Sequence, residues 1–504
     1  MGVLRTLRGC EKNAHQDQAI QRLLFHRLRH IPGPFFAKLS SNYLSWATFK
    51  ARRAYKLLEL HEQYGPIVRV GPNEVSISNW RAYRDIYSDR TVTKDPSFYE
   101  ALRFLGLGNV FAEINPSVHS SRRKVMSSVF SHSQLIKNED LILERVNVLL
   151  DRALDQVATS PTGTADLFDL CGTFSLEVIC RLSFNCTFSK DSDLSHRLLK
   201  ALEGSTIALL LAPQLPQLLQ NTKYRGKIPG ALGKSFRCFD VWEGITRDML
   251  VQFQNQSIDS EKRATFLAAP LVDDKPKHIQ RQYTLEEAVE EAMGIAIAGT
   301  GVTEHTMVYF LYQLSRPENK SMQMRLRKEV SIVGTTYADY VNLPYLSACI
   351  KETFRVHPVI MSTLPRILHD KLVVTQSGTT IPPGTLIGMQ NYVHHRDSEL
   401  FPQPAKFVPE RWLEDGSCDL TTDLKDMNSA LTPFSVGARN CLGQSLGKIE
   451  LWLALGTIFR RVELRLNASM TEDDMRMLDR WAMFPKGGKL LLDVTPLKAA
   501  ESEG

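Results

Sequence analysis

The chain has 504 residues, of which 43% are apolar, and a formal net charge of +6 at pH 7. The apolar fraction excludes an intrinsically disordered chain, and so small a charge over this length does not indicate a nucleic-acid-binding protein. Apolar runs such as residues 207–212 are far shorter than the roughly 18 residues that a transmembrane helix needs. The eight cysteines show no CxxC spacing, which argues against a zinc site and a disulfide framework and favours a reducing compartment.

Residues 1–30 precede the body of the chain as a basic leader. They contain six basic and two acidic residues, so +4 of the net charge lies here. We expect a basic amphipathic helix without a transmembrane segment. A lipidated start is an alternative, because Gly2 and Thr6 fit a myristoylation pattern and Cys10 could take a second acyl chain. The segment "HIPGPF" (30–35) ends any leader helix, since each proline restricts the residue before it.

The body continues with elements of several kinds. Residues 65–78, "GPIVRVGPNEVSIS", alternate apolar and polar side chains around a Gly-Pro-Asn turn and predict a hairpin. Residues 117–351 show mostly helical periodicity. Residues 359–388 break into short β-like pieces, a helix is predicted over 443–461, and the tail "GGKLLLDVTP" resembles a strand. We therefore expect one body that is mainly α with a minor β portion.

One predicted helix, residues 284–314, has an unusual centre. Thr284 and Glu287 form a capping-box pattern at its start. Its interior contains three glycines, each of which costs about 1 kcal/mol relative to alanine in a helix: Gly294, Gly299 and Gly301. Such a cost indicates a ligand that lies against the backbone.

The most informative stretch is "PFSVGARNCLGQSLG" (433–447). A cysteine binds a metal as a thiolate, which requires positive charge, backbone donors and a close approach of the chain. Gly437 and Gly443 permit a tight path beside a flat cofactor. Arg439 can bond an anionic group at the edge of that cofactor, and the helix that follows directs its positive end towards Cys441. A buried free cysteine in a Gly-containing loop is the alternative, but five positions in this spacing favour a metal ligand: Phe434, Gly437, Arg439, Cys441 and Gly443.

With these residues the sequence resembles the haem-thiolate enzymes called cytochromes P450. The resemblance runs from residue 31 to about residue 496 and includes further motifs in the family's order: "LPYLSACIKETFRVHP", "LPR", "IPPGT" and "HHRDSELFPQPAKFVPERW". In the family, a Glu–Arg pair like Glu352 and Arg355 joins a later arginine, which here is Arg411. The resemblance implies a single-domain cytochrome P450 fold over residues 31–504, mainly α with a minor β portion.

The resemblance also implies haem b as the cofactor, with Cys441 as the axial thiolate ligand of the iron. Phe434 and Gly443 would contribute to cofactor binding. Family members neutralise the two haem propionates with basic side chains, because a carboxylate brought against protein without a partner is costly. The candidates in this chain are Arg439, Arg366 of "LPR", and His119 and Arg123 of "HSSRR". For His119 and Arg123 the alternative is an ordinary solvated side chain.

In the family, the centre of the 284–314 helix usually reads Ala/Gly-Gly-x-acid-Thr-Thr. Here Gly301 stands in place of the acid and Val302 in place of the first threonine. Glu304 lies about 200° around the helix from Val302, so we do not assign it as the acid. The resemblance leaves three candidate catalytic residues on this helix: Gly299, Thr300 and Thr303.

The altered motif bears on how protons reach dioxygen. Without the usual acid and alcohol, protons would come by ordered water, by Thr300 or Thr303, or from a hydroxyl of the substrate. Two interpretations stay open. Either water fills the gap and the reaction is ordinary, or the enzyme catalyses an unusual reaction such as desaturation, coupling, isomerisation or dehydration.

The resemblance implies a monooxygenase that inserts one oxygen atom from O2 into a hydrophobic small molecule. Its electrons would come from NADPH through a separate cytochrome P450 reductase. The motif style is similar to filamentous-fungal members that act on secondary metabolites, such as terpenoids, polyketides or alkaloids. A haem-thiolate enzyme that needs no external electrons and a non-enzymatic binder are the alternatives. By analogy, an apolar pocket would be lined by five regions: 97–115, 205–225, Met293–Val302, Ser362–Leu364 and Ala482–Phe484.

The charge pattern leads to expectations about partners and location. We expect the reductase to dock near Arg122, Lys124 and Lys448, and we expect no nucleic-acid partner. The basic leader favours a peripheral protein on the cytosolic face of the endoplasmic reticulum, with a cytoplasmic protein as the alternative.

Overall fold

Helices form most of the protein. The computed structural model describes residues 21–188, 193–214, 227–273, 282–374, 378–416, 418–480 and 482–497. In chain order, its α-helices are α1 (Phe35–Leu39), α2 (Ser45–Phe49), α3 (Arg53–Tyr64), α4 (Arg81–Ser88), α5 (Pro96–Tyr99), α6 (Pro116–Ser127), α7 (His132–Leu135), α8 (Glu139–Thr159), α9 (Leu167–Phe184), α10 (Leu194–Leu211), α11 (Gly230–Asn255), α12 (Ser260–Arg263), α13 (Ala269–Val272), α14 (Leu285–Ser315), α15 (Lys320–Ser331), α16 (Tyr337–Val341), α17 (Pro344–Val356), α18 (Asn391–His394), α19 (Leu424–Ala430) and α20 (Gln444–Arg461).

Short helical turns of other types connect these helices. A π-helical turn lies at Gln21–Phe25. Turns of 3₁₀ helix lie at Ser41–Leu44, Glu100–Leu102, Ile136–Asn138, Pro317–Asn319, Pro409–Trp412 and Gly437–Arg439.

The strands are short and form four small sheets. They are β1 (Ile67–Gly71), β2 (Glu74–Ile77), β3 (Thr93–Lys94), β4 (Thr164–Asp166), β5 (Arg366–Ile367), β6 (Leu372–Val374), β7 (Thr379–Ile381), β8 (Leu386–Gly388), β9 (Val462–Leu466), β10 (Met477–Arg480), β11 (Ala482–Pro485) and β12 (Leu491–Pro496). The largest sheet has the order β1-β2-β8-β5-β3, and β12 lies between β4 and β9 in a second sheet. The pairs β6–β7 and β10–β11 complete the set in the described ranges.

Helix α14 is 31 residues long and mostly buried. Its start is capped as predicted, because the Thr284 hydroxyl accepts the Glu287 N–H and the Glu287 carboxylate accepts the Thr284 N–H. The helix packs against α9, α11, α17 and α20. Its apolar residues therefore lie on several sides, as in a helix that is enclosed by others.

The expected fold class, mainly α with a minor β portion, is confirmed. The predicted hairpin is the antiparallel pair β1–β2, in which Ile67 lies opposite Ile77. The β-like pieces of 359–388 are β5 to β8, and the tail forms β12. The largest apolar cluster joins residues from Ala54 to Val494, so nearly the whole described body contributes to it.

Two predictions fall partly or wholly on undescribed residues. The first twenty residues of the leader, with Gly2, Thr6 and Cys10, lie outside the described residues, and so does part of the 205–225 region. Within the described ranges, no helix has the length and apolar character needed to cross a membrane.

Candidate active site

Cys441 lies in the turn between the Gly437–Arg439 3₁₀ turn and α20. Its backbone N–H donates to the Phe434 carbonyl at 2.8 Å and closes this turn. Gly437 has a φ of +73°, and a Cβ there would lie 2.5 Å from the Tyr87 carbonyl oxygen. Glycine is therefore required for a close approach to α4, whereas we expected a close approach to a flat cofactor. Of the cysteines that the structure describes, Cys441 alone has an exposed side chain.

The surroundings of the Cys441 thiol act on its pKa in both directions. Solvent reaches the side chain, yet protein surrounds most of it, and this burial raises the pKa of the thiol. The backbone N–H of Gly443 and the charge of Arg123 lower the pKa. These two groups supply the backbone donor and the positive charge that the sequence predicts beside the thiolate.

Three arginines predicted to bind carboxylates lie near the cysteine turn and the adjoining sheet. Arg123 of α6 donates to the Asn440 carbonyl at 2.7 Å, next to Cys441 in sequence. Arg439 donates to the carbonyls of Glu113 and Ile114 at 2.8 and 3.1 Å. Arg366 of β5 is 4% exposed and donates to the Tyr99 hydroxyl at 2.6 Å. None of these arginines is an ordinary solvated side chain.

Lys94 of β3 belongs to the same positive cluster, although its sequence gave no signal. It is buried, and its ammonium donates to the Phe111 carbonyl. Burial lowers the pKa of Lys94 well below its usual value, the charges of Arg366 and Arg439 lower it further, and Glu113 opposes them. Four cations thus act on one another in the protein interior, which is unfavourable without an anion to neutralise them.

His119 of α6 is a neutral member of this cluster. The side chain is 5% exposed. Burial lowers the pKa of His119 to about 3, with further contributions from Arg439, Lys94 and Arg123. At neutral pH its imidazole can donate one hydrogen bond without adding a fifth charge.

The centre of α14 presents an accessible face within an otherwise buried helix. Ala298 is exposed, and six residues near it are half-buried, whereas residues 288–293 and 303–315 are buried: Gly294, Ile295, Ile297, Gly299, Gly301 and Val302. Accessible positions in the middle of a buried helix indicate a cavity beside it. This face contains both departures from the expected oxygen motif.

The candidate catalytic residues of α14 point away from this face. A Cβ on Gly299 would lie 2.5 Å from Ile179 of α9, so this glycine permits a close helix contact, whereas we expected a ligand against the backbone. The Thr300 hydroxyl is buried and donates to the Ala296 carbonyl at 2.8 Å. Thr303 is also buried, and its hydroxyl donates to Glu450 at 2.8 Å.

Glu450 of α20 is a buried carboxyl group that the sequence reasoning missed. Burial raises its pKa to about 8, and the hydrogen bond from Thr303 opposes this rise. The hydrogen bond links α14 to the helix that begins just after Cys441. The bond thereby holds α14, with its accessible face, beside α20 and the cysteine turn that precedes α20.

Glu352, Arg355 and Arg411 meet in the core, as the resemblance implied. All three are fully buried. Arg355 donates to the Glu352 carboxylate at 2.8 and 2.7 Å, and Arg411 donates to it at 3.2 Å. The Trp412 indole and the Val408 N–H complete the set at 2.9 Å each. This network fixes α17 against the 3₁₀ turn at Pro409–Trp412.

Two carboxylates of α14 anchor the loop before α6. Glu290 is fully buried and accepts the Phe104 N–H at 2.8 Å and the Asn109 side chain at 2.7 Å. Glu291 accepts the Val110 N–H at 3.0 Å and Arg122 at 2.8 Å. Arg122 is thus half-buried and bound by Glu291, and the expected reductase-docking surface near Arg122, Lys124 and Lys448 stays a prediction.

Comparison with known proteins agrees with this geometry. Residues 32–492 match the model of the family described as Cytochrome P450. The chain belongs to the cytochrome P450 family. Similar proteins include the cytochrome P450 monooxygenase ucsK of an Acremonium species, 27% identical over 494 residues that cover 91% of each chain. The cytochrome P450 monooxygenase tndB of Aspergillus flavipes is 29% identical over 466 residues, which cover 84% of this chain and 92% of that one.

A solved cytochrome P450 structure shares the fold. Cyanobacterial CYP120A1, solved with retinoic acid bound, superposes with a TM-score of 0.71 at 20% sequence identity and covers 93% of this chain and 99% of its own. Cytochromes P450 hold haem through a cysteine thiolate. The chain is accordingly an oxidoreductase of the cytochrome P450 monooxygenase class, with haem as its cofactor.

The residues present fit this cofactor. Cys441 is an accessible thiol, the interior beside it has an excess of positive charge, and haem brings two carboxylates. The accessible face of α14 borders open space where a flat group and a substrate can lie. The sequence reasoning missed Lys94 and Glu450, because neither belongs to a motif and each acquires its surroundings only through tertiary contacts.

Proposed function

We propose that this cytochrome P450 inserts one atom of dioxygen into a hydrophobic small molecule, with electrons delivered from NADPH by a separate reductase. The observation that carries the proposal is the exposed thiol of Cys441, the one cysteine that is exposed in the described ranges, beside the cationic cluster. Cys441 is the proposed iron ligand. When bound, haem supplies the iron at which dioxygen is reduced.

Four side chains are proposed to hold the haem carboxylates: Arg123, Arg366, Arg439 and Lys94. Their charges act on one another in the interior and are relieved by two negative groups. His119 adds a neutral donor at the same place. Phe434, Gly437 and Gly443 shape the turn that presents the thiol.

The proposed substrate is apolar because the side chains near the accessible face of α14 are apolar. Phe104, Leu105, Ile295, Val302 and Phe484 are partly buried apolar side chains that pack at the margin of the main core. A pocket lined in this way favours an apolar ligand and orients it with few polar contacts. Fungal secondary metabolites such as terpenoids, polyketides or alkaloids are the proposed class, and the fungal origin of the similar monooxygenases supports it.

The proposed location is a membrane surface that also carries the reductase. Several large apolar side chains are exposed between residues 24 and 49: Leu24, Phe25, Phe35, Phe36, Trp46 and Phe49. The Ser45 hydroxyl donates to Gln214 at 2.8 Å, so this region adjoins the end of α10. Aromatic side chains of this kind favour the boundary between water and lipid. Peripheral attachment at the cytosolic face of the endoplasmic reticulum fits these observations.

A second candidate reaction follows from the residues at the centre of α14, which present no acid and no free hydroxyl to its accessible face. Neither Gly301 nor Val302 offers a proton, and the hydroxyls of Thr300 and Thr303 are engaged elsewhere. An enzyme that delivers protons poorly at this place would favour isomerisation or dehydration, which do not reduce dioxygen, over oxygen insertion.

A spectroscopic experiment tests the proposed ligand. Reduced enzyme treated with carbon monoxide should show the shifted Soret band of a thiolate-bound haem, and Cys441→Ser should abolish this band. Cys418→Ser is the matched control, because Cys418 is half-buried and lies outside the site. A thiolate band in Cys441→Ser would refute the assignment.

Product profiling tests the reaction. Cells that express the enzyme are compared with cells that lack it, and purified enzyme is assayed with and without reductase and NADPH. Oxygenated product that depends on both supports the monooxygenase. A product formed without reductase and NADPH supports a haem-thiolate enzyme that needs no external electrons.

A further inference from the structure

Two adjacent polar residues of α14 are buried without the hydrogen bonds that such groups usually make. Glu304 is 1% exposed and His305 is 5% exposed. Both ring nitrogens of His305 and Oε1 of Glu304 have no hydrogen-bond partner among the residues that the structure describes. Nε2 of His305 lies 3.8 Å from Oε1 of Glu304. A buried polar group without a partner costs about 1–3 kcal/mol, so this pair calls for an explanation.

The neighbouring elements leave room for the pair. A Cβ on Gly172 of α9 would lie 3.0 Å from the carboxyl carbon of Glu304. The His305 ring packs against both Phe168 and Phe484, with centroids 5.9 and 5.5 Å away. Apart from the helix's own backbone, the only atom of the described residues within 4 Å of a Cβ built on Gly301 is Cε1 of His305, at 3.7 Å. Gly301 therefore leaves a space between the imidazole and the accessible face of α14.

A charged cluster near the surface lies close to Glu304, since a Cβ on Gly172 would be 3.0 Å from the Glu304 carboxyl group and 3.1 Å from Leu199, the residue before Lys200. Lys200 of α10 is 2.8 Å from Asp169 and 3.2 Å from Glu203. The side chains of Lys200 and Asp169 are 40% and 41% exposed, so solvent reaches them. The charges of all three residues act on Glu304. Titratable groups thus extend from the solvent to the centre of α14.

The protonation states of the pair suit proton transfer. Burial raises the pKa of Glu304 well above its usual value, Glu203 and Asp169 raise it further, and Lys200 opposes them. Burial lowers the pKa of His305 to about 3. At neutral pH the pair is a carboxylic acid beside a neutral imidazole, which is a donor beside an acceptor. Two further groups lie on the packed elements: Cys171 on α9, and Arg480, whose guanidinium is 5.2 Å from the Phe484 ring.

We propose that Glu304 and His305 relay protons from the solvent at Lys200 to the accessible face of α14 at Gly301. The inference rests on the proposed monooxygenase function. That reaction consumes two electrons and two protons per dioxygen, with one oxygen atom entering the substrate and the other leaving as water. The pair follows Gly301 by three and four residues, so it lies on the same side of α14 as the position at which the family usually has an acid.

Each proton moves in three transfers. Glu304 donates its carboxyl proton to one nitrogen of His305 directly, after a side-chain rotation brings Oε1 and Nε2 from 3.8 Å to hydrogen-bond distance. In the same step His305 releases the proton of its other nitrogen into the space at Gly301, so that no imidazolium accumulates, and the neutral ring must then turn over to restore its first tautomer before the second proton passes. Solvent then reprotonates Glu304 through Glu203 and Lys200. Over the full cycle, only the oxygen atom that leaves as water gains protons, and every group of the protein returns to its starting protonation state.

Turnover of the haem-loaded enzyme gives the first test. Dioxygen and NADPH consumption are measured with reductase in H2O and D2O. We expect Glu304→Gln and His305→Phe to lower the rate about hundredfold and to increase the solvent isotope effect, since positioned acid–base groups contribute factors of this size. Thr306→Val is the matched control, because the buried Thr306 hydroxyl donates to the Val302 carbonyl of its own helix at 2.8 Å. Unchanged rates in both relay variants would overturn the proposal.

Two further readouts separate a relay from a structural role. One infrared band of a protonated carboxyl group should be lost in Glu304→Gln and should shift in His305→Phe, while the band of protonated Glu450 remains, whether or not the enzyme turns over. Adding Gly301→Asp to Glu304→Gln should restore the rate, because a Cβ at residue 301 meets only the His305 ring edge. A missing band or a failed rescue would refute the relay.

The carbon monoxide spectrum distinguishes this inference from the proposed function. The spectrum is recorded for every variant, and a variant that retains the thiolate band has kept its haem site. Loss of the band in the unmodified enzyme refutes the proposed function itself. If Glu304→Gln fails to retain haem, His305→Phe and its rescue by Gly301→Asp provide the same test.

Discussion

Glu450 leads to a prediction about how stability depends on pH. The carboxyl group is 1% exposed, and burial raises its pKa from 4.5 to about 8. The unfolded chain releases this proton near pH 4.5, whereas the folded protein retains it until about pH 8. The free energy of unfolding therefore falls as the pH rises between these values. Each pH unit costs about 1.4 kcal/mol, so the whole interval costs at most about 5 kcal/mol.

The substitution Glu450→Gln removes this titration. We expect the variant to have nearly the stability of the unmodified enzyme at pH 4.5 and to be more stable by several kcal/mol at pH 8. The measurement is the free energy of urea unfolding at closely spaced pH values, taken as the difference between variant and unmodified enzyme, so that other titrating groups cancel.

Thr303→Val is the matched control for this experiment. It keeps the Glu450 carboxyl group but removes the hydrogen bond that lowers its pKa. The loss of stability should then continue to higher pH. If the difference in unfolding free energy between Glu450→Gln and the unmodified enzyme stays constant from pH 4.5 to pH 8, the raised pKa of Glu450 is refuted.

Other predictions concern the core network, the cationic cluster and the anchored loop. Glu352→Gln should lower the free energy of unfolding by about 3–5 kcal/mol, because it leaves two buried guanidinium groups without their counter-charge. Glu59→Gln, in an exposed ion pair, should lower it by less than about 1 kcal/mol. Equal losses of the two variants in urea unfolding would contradict this prediction. Lys94→Met should speed haem loss to a scavenger protein while it stabilises the haem-free chain, and slower haem loss would count against its role. Glu290→Gln should make residues 103–113 more sensitive to limited proteolysis than Glu286→Gln does, since Glu286 pairs with Arg247 at the surface.

Local patterns predicted the parts of this protein that depend on short stretches of chain. Two examples are the capping box at Thr284 and Glu287 and the turn that presents Cys441. Each involves residues within ten positions of one another, so its spacing can be recognised in the sequence. The Glu352–Arg355 pair is also local, and its third member, Arg411, was found only through the family resemblance.

Other features depend on contacts between distant segments and gave no local signal. Gly299 indicated a ligand, but the space is taken by Ile179, which lies 120 positions earlier in the chain. Arg122 had the appearance of a surface charge until Glu291 was found to bind it. Lys94 is a single basic residue in a two-residue strand, and only the fold brings it beside Arg366 and Arg439. In each case the partner determines the role of the residue.

The anchoring of the 103–113 loop has a consequence for how this enzyme could change its substrate. Glu290 binds the loop through the backbone N–H groups of Phe104 and Leu105. Every residue except proline has this N–H group, so the side chains at both positions can vary without loss of the anchor. The protein can therefore alter the shape of its proposed pocket by single substitutions while the loop stays attached to α14. A new substrate preference can then arise before any change in α14.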